Sequence, residues 1–182
     1  NLMITRRAKG IFIVWKNFQR RVDVLAPYLN LEIYYFHYPW EEKSKFLKAL
    51  SYIPKSIATL KCLFQKRPSL AFVQFPPTPA LYCTAFYSWV TGSKYVSDCH
   101  NSMVDSHWSK WIFTKRLLSQ GVLIVHNNHI AEHVEKTMGL NPFVLRDGII
   151  NRQSKVIKPT HILENFNLAP QKYVLLPWTF ST

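Results

Sequence analysis

The sequence predicts an α/β fold with a Rossmann-like, doubly wound and mostly parallel sheet. Three observations carry this. Short runs of β-branched, aliphatic and aromatic residues recur along the chain, stretches with helical patterning separate them, and polar residues gather just after each run. Strands alternating with helices imply parallel crossover units. Ligands of such sheets bind beyond the carboxyl ends of the strands. A chain of 182 residues suits one well-packed domain.

The elements follow in order. Residues 11–15 (IFIVW) form the first strand, with a helix over 20–29. Residues 31–38 (LEIYYFHY) are the second strand, closed by Pro39. A basic helical stretch follows over 43–65, in which Phe46, Leu50, Ile53, Ile57, Leu60 and Phe64 recur every three or four residues and share one face. Lys48, Lys55 and Lys66 fall opposite them, and Pro54 is expected to kink or split the element. Two readings of the stripe stay open: a core-facing helix with a solvated back, or a helix lying on an anionic membrane surface. Residues 69–75 form the third strand, ended by Pro76-Pro77-Thr78-Pro79, with a helix over 80–90 stopped by Gly92. A strand at 94–98, a helix over 107–119, a strand at 122–125, a helix running through Thr137 and a strand at 143–145 complete the pattern.

Composition narrows the partners. Nearly half the residues are apolar, which excludes disorder, and the net charge of +13 points to an anionic partner. The basic residues come in scattered pairs with no run of five, so a nucleic-acid-binding tail is not expected. Cys62, Cys83 and Cys99 are sparse and odd in number, which excludes a disulfide framework and fits a reducing compartment. The longest apolar stretch, residues 80–90, falls short of the roughly 20 residues a membrane span needs. No secretory signal is visible. The chain starts at Asn1 and stops within a new apolar run, so it reads as a piece of a longer protein.

The expected strand ends carry the candidate chemistry: Lys16-Asn17 with Arg20 and Arg21, Pro77-Thr78, Asp98 with His100 and Asn101, His126-Asn127, and Arg146-Asp147. The loop after the first strand has no glycine, so a dinucleotide fingerprint is excluded. Arg20 and Arg21 either contact a phosphate from the helix start or are solvated. Asp98 and His100 project to one side if the chain is extended there. They form either a turn that caps backbone groups or a pocket for hydroxyl groups, with His100 as a base near neutral pH. Cys99, on the opposite side, reads as a small buried residue. His129, Glu132 and His133 match the H-x-x-E-H zinc pattern, with Glu164 as the one plausible third ligand. A zinc hydrolase and a non-catalytic binder of anionic polymers are therefore the alternative functions.

Two segments carry a family resemblance. Phe72-Val73-Gln74-Phe75-Pro76-Pro77-Thr78-Pro79-Ala80-Leu81 and Gly92-Ser93-Lys94-Tyr95-Val96-Ser97-Asp98-Cys99-His100-Asn101 resemble the N-terminal domain of GT-B glycosyltransferases. The nearest likeness is to the β-1,4-mannosyltransferases acting on dolichyl-diphosphate chitobiose and to bacterial group 1/family 4-like enzymes. It covers residues 11–150, and Val125-His126-Asn127 fits the family's next strand end. The resemblance implies an acceptor-side domain over residues 1–150, a linker over 151–172, and the start of a donor-binding domain at 173–182. It implies a nucleotide-sugar donor (a GDP- or UDP-sugar) and a saccharide or lipid-linked acceptor. No cofactor, metal or nucleic acid is implied. His100 or Asp98 would act as catalytic base, and Pro77, Thr78, Asn101, Arg20, Arg21, His126 and Asn127 would bind substrate. The positive charge and the lysine-backed helix point to the cytoplasm, peripheral on the membrane face, and this piece alone is expected to be inactive. Many relatives have a glycine-rich turn after the first strand, so no donor contact from Lys16 to Arg21 is implied here.

Overall fold

In the computed structural model, residues 10–99 and 107–146 are described. The first strand, β1 (Ile11–Val14), is wholly buried. It is followed by α1 (Arg20–Tyr28), β2 (Glu32–Tyr35), a 3-10 turn (Pro39–Lys43) and the long α2 (Lys45–Lys66). Then come β3 (Leu70–Phe75), α3 (Thr78–Thr91), β4 (Lys94–Cys99), a second 3-10 turn (His107–Lys110), α4 (Thr114–Gln120), β5 (Val122–Val125), α5 (Asn128–Met138) and β6 (Phe143–Val144). Residues 1–148 form one compact unit, and residues 149–182 a second that lies outside the described residues. The expected linker and second-domain strand fall in the latter.

The six strands form one parallel sheet in the order β2-β1-β3-β4-β5-β6. The chain therefore steps one way from β1 to β2 and the other way from β3 onward, as in a Rossmann-like fold. The reversal places a topological switch between β1 and β3, where open α/β sheets leave a crevice.

Side chains alternate between the two faces of the sheet. Ile11, Ile13, Ala71, Val73, Phe75, Tyr95, Cys99, Leu123 and Val125 pack toward α2, α3, α4 and α5 through Leu63, Leu81, Leu118 and Val134. Phe12, Val14, Phe72, Val96 and Ile124 face the other way, where Val22 and Ala26 of α1 meet them.

Three expectations are corrected. The 107–119 helix is two pieces, parted by Phe113 in the left-handed region at φ 60°. Pro54 does not break α2, which runs unbroken from Lys45 to Lys66. Pro54 offers no N–H to the Leu50 carbonyl, and the helix continues without that one bond. The third correction overturns the core-facing reading of the α2 stripe, one of the two left open. Phe46, Leu50, Ile53, Ile57 and Phe64 lie exposed, while Ser51, Lys55, Thr59 and Leu63 are buried against the sheet. The inward polar groups have partners: Trp15 Nε1 donates to Thr59 Oγ1 at 2.9 Å, and Lys55 pairs with Glu41 of the first 3-10 turn.

Tyr95 gives the fold a pH signature. Its ring is buried over Gly121, where an added Cβ would fall inside contact distance, and its hydroxyl donates to the Leu117 carbonyl. Burial pushes the Tyr95 phenol up to about 12 from 10.0. Tyr35 is likewise raised to about 12, by burial and then by its hydrogen bond to Asp23. The unfolded chain loses these protons first, so their stabilisation is intact below pH 10 and is lost as pH rises toward about 12. Urea midpoints are expected to fall across that window, and less steeply in Tyr95→Phe. An equal slope in that variant would refute the assignment.

Candidate functional site at the strand ends

The carboxyl ends of β1, β3 and β4 carry two distinct groups of side chains. On the α1 face, Asp98 sits beside Gln74 in register on the neighbouring strand. Its carboxylate is fully buried and accepts from Arg21 Nε at 3.0 Å and 3.2 Å. Arg21 also donates from Nη2 to the Leu145 carbonyl at 2.9 Å. One guanidinium thus ties the start of α1 to β4 and to the residue after β6. Two charges this deep are tolerated because each satisfies the other. Beside them, the buried Gln74 Nε2 makes no hydrogen bond among the described residues.

On the α2 face lies an aromatic row. Trp15, at the end of β1, is 5.8 Å from Tyr52 of α2, ring centre to ring centre. Tyr52 meets Trp108 edge-on at 5.6 Å, and Trp108 meets Trp111 at 5.0 Å. The second 3-10 turn is pinned here because Thr78 Oγ1 donates to the Trp108 carbonyl at 2.8 Å. Beneath the row, Lys55 Nζ lies 2.7 Å from Glu41 Oε1, to which it donates, and 2.5 Å from Oε2. Burial pushes the Lys55 ammonium down, its hydrogen bond to Glu41 opposes that, and the charge of Lys48 adds to the lowering. His37 Nε2 lies 2.9 Å from Glu42 Oε1 at the outer edge of this cluster.

Several residues expected to bind substrate have other roles. Arg21, expected as a phosphate contact or a solvated residue, is neither: it is the buried counter-ion of Asp98. Asp98, expected as an alternative base, is instead out of contact with solvent and oriented by Arg21. Thr78 is buried and spends its hydroxyl on the Trp108 turn. Asn127 caps α5, its Oδ1 accepting from the Ile130 N–H at 2.8 Å. Arg20 is exposed, while Pro77, which precedes α3, and His126, just after β5, are half-buried at the carboxyl edge. His100, Asn101 and Asp147 lie outside the described residues.

Sequence reasoning missed Trp15, Tyr52 and Trp108 as a group, together with the Glu41–Lys55 pair. The one visible signal was Trp15 just after a strand, with no indication that residues of α2 and the two 3-10 turns would converge on it. Burial raises the Cys99 thiol well above its ordinary value and Asp98 adds to it, in keeping with a buried, inert cysteine. His129 and His133 stand one turn apart on α5, and Glu164, the third ligand that the zinc pattern would need, lies outside the described residues, among which no group of three or more His, Cys, Asp or Glu is placed to hold a metal ion. No protein-family model matches this chain, and no curated protein matches its sequence.

Proposed function

We propose that this domain is the acceptor-binding half of a GT-B glycosyltransferase. It would move a sugar from a GDP- or UDP-sugar to a saccharide or lipid-linked acceptor. The observation that carries the reading is the pair of half-buried rings Tyr52 and Trp108, which meet edge-on next to the buried Trp15 at the strand ends beside the β1/β3 switch. Aromatic faces are electron-rich, and the C–H groups on one face of a pyranose ring pack against them. His100 and Asn101, which follow β4 in sequence, would supply hydroxyl-binding groups at the same edge.

In this reading the acceptor hydroxyl oxygen attacks the anomeric carbon and the bond to the donor diphosphate breaks. The nucleoside diphosphate leaves, and in an inverting enzyme the hydroxyl proton passes to His100. Asp98 serves as a positioning residue, since its carboxylate is held by Arg21. A second domain would hold the donor, so the 182-residue chain alone would not turn over.

The test uses the full-length gene product with a panel of nucleotide sugars and saccharide acceptors. Acceptor-dependent release of nucleoside diphosphate is expected. Trp108→Ala is expected to raise the acceptor KM about tenfold with kcat largely kept, about the contribution of one aromatic contact. No turnover across the panel, or a Trp108→Ala enzyme with unchanged KM, would contradict the proposal. Tight heparin binding without turnover would favour the anionic-polymer module instead.

A further inference from the structure

The outward face of α2 is more apolar than its inward face. Phe46, Ile53 and Ile57 are 75%, 62% and 64% exposed, while Ser51, Lys55 and Thr59 face the sheet. A helix that merely covered a core would be turned the other way. The apolar surface continues across the neighbouring elements. Helix α3 packs on α2 through the edge-to-face pair Phe64–Tyr87, and it exposes 81% of Trp89. The segment before α4 is joined to α3 by Tyr82, whose hydroxyl donates to the Ile112 carbonyl, and it exposes 74% of Ile112 and 65% of Phe113. Between α3 and α4 runs a groove of about 410 Å³, lined by Phe86, Trp89, Phe113 and Leu117 with Arg116 at its side.

The helices that carry this surface bear charge of one sign. Helices α2, α3 and α4 contain no Asp or Glu, and Lys61, Lys115 and Arg116 stand exposed on them. We propose that this face docks on an anionic lipid bilayer, with the α2 stripe and Trp89 reaching the acyl boundary and the basic side chains meeting headgroup charge. Apolar anchors bordered by cations are what an interfacial surface requires. A second copy of this chain is a poorer occupant, because a chain of net charge +13 repels itself. Among the described residues no helix is long and apolar enough to cross a membrane, so this attachment is peripheral. The inference does not rest on the sugar-transfer reading.

Co-sedimentation with vesicles tests it, comparing pure phosphatidylcholine with the same lipid containing about one-third phosphatidylglycerol. Binding about tenfold or more tighter to the anionic vesicles is expected, weakened by added salt. The double variant Ile57→Ser, Trp89→Ser is expected to lose about tenfold of that binding, since two exposed anchors are removed. Both sites are solvent-exposed, so its circular dichroism and melting should be unchanged. Its turnover of a short soluble acceptor should also match wild type, which separates this proposal from the catalytic one. Equal binding to both vesicle types would overturn the proposal, as would a double variant that binds like wild type. Dimerisation in sedimentation velocity that the double variant abolishes would also overturn it, by giving the face to a second copy.

Discussion

Asp98→Ala is expected to cost about 3–5 kcal/mol of folding stability, because it removes the buried carboxylate to which Arg21 Nε donates. Against the ~5–15 kcal/mol that holds a typical domain together, that loss is large enough to populate the unfolded state. The side chains of Arg21 and Asp98 are only 4% and 0% exposed, so water cannot replace the missing partner. Removing both charges should hurt less than removing one. Arg21→Met with Asp98→Leu is expected to recover much of the loss, since a packed apolar pair needs no desolvation of ions. Urea unfolding followed by circular dichroism measures all three variants. A single-variant loss below about 1 kcal/mol, the range of an exposed pair, would show that the ion pair does not form in the folded protein.

Lys55→Met is the second large effect, again about 3–5 kcal/mol, because it strands the Glu41 carboxylate beneath the aromatic row. This substitution also removes the ammonium stacked 5.8 Å from the centre of the Trp15 ring. A double-mutant cycle with Glu41→Gln isolates the pair, and a coupling of about 2 kcal/mol or more is expected for contacting buried partners. Near-additive losses would mean that the two side chains act separately. Because Glu41 lies in the turn leading into α2, the loss should loosen the α2 side of the strand ends first.

The sheet was legible because its strands are short apolar runs bounded by Pro, Gly and polar residues, and their order follows from the crossovers. The facing of α2 was not. A stripe at Phe46, Leu50, Ile53, Ile57 and Phe64 has the same period whether it looks at a core or at a membrane. What turns the helix is the set of partners waiting for its other side: Glu41 at a separation of 14 residues and Trp15 at 44. Periodicity within one helix carries no information about either. Arg21 and Asp98 were both picked out by their position at strand ends, yet their pairing spans 77 residues and only the folded sheet reveals it. Asn127 could have been read correctly, since an Asn just before an amphipathic helix is a capping signal. The aromatic row escaped notice because β1, α2 and the turn at His107–Lys110 each contribute a single ring.

The central claim is that saccharide binds at the carboxyl edge of this sheet, beside the switch between β1 and β3. Amide chemical-shift mapping with the ¹⁵N-labelled protein and a panel of short oligosaccharides tests it directly. The account predicts shifts confined to residues following β1, β3 and β4 and to the part of α2 around Tyr52, with Trp108 among the most affected indole signals. No shifts with any saccharide, or shifts clustered at the amino-terminal ends of the strands, would contradict it.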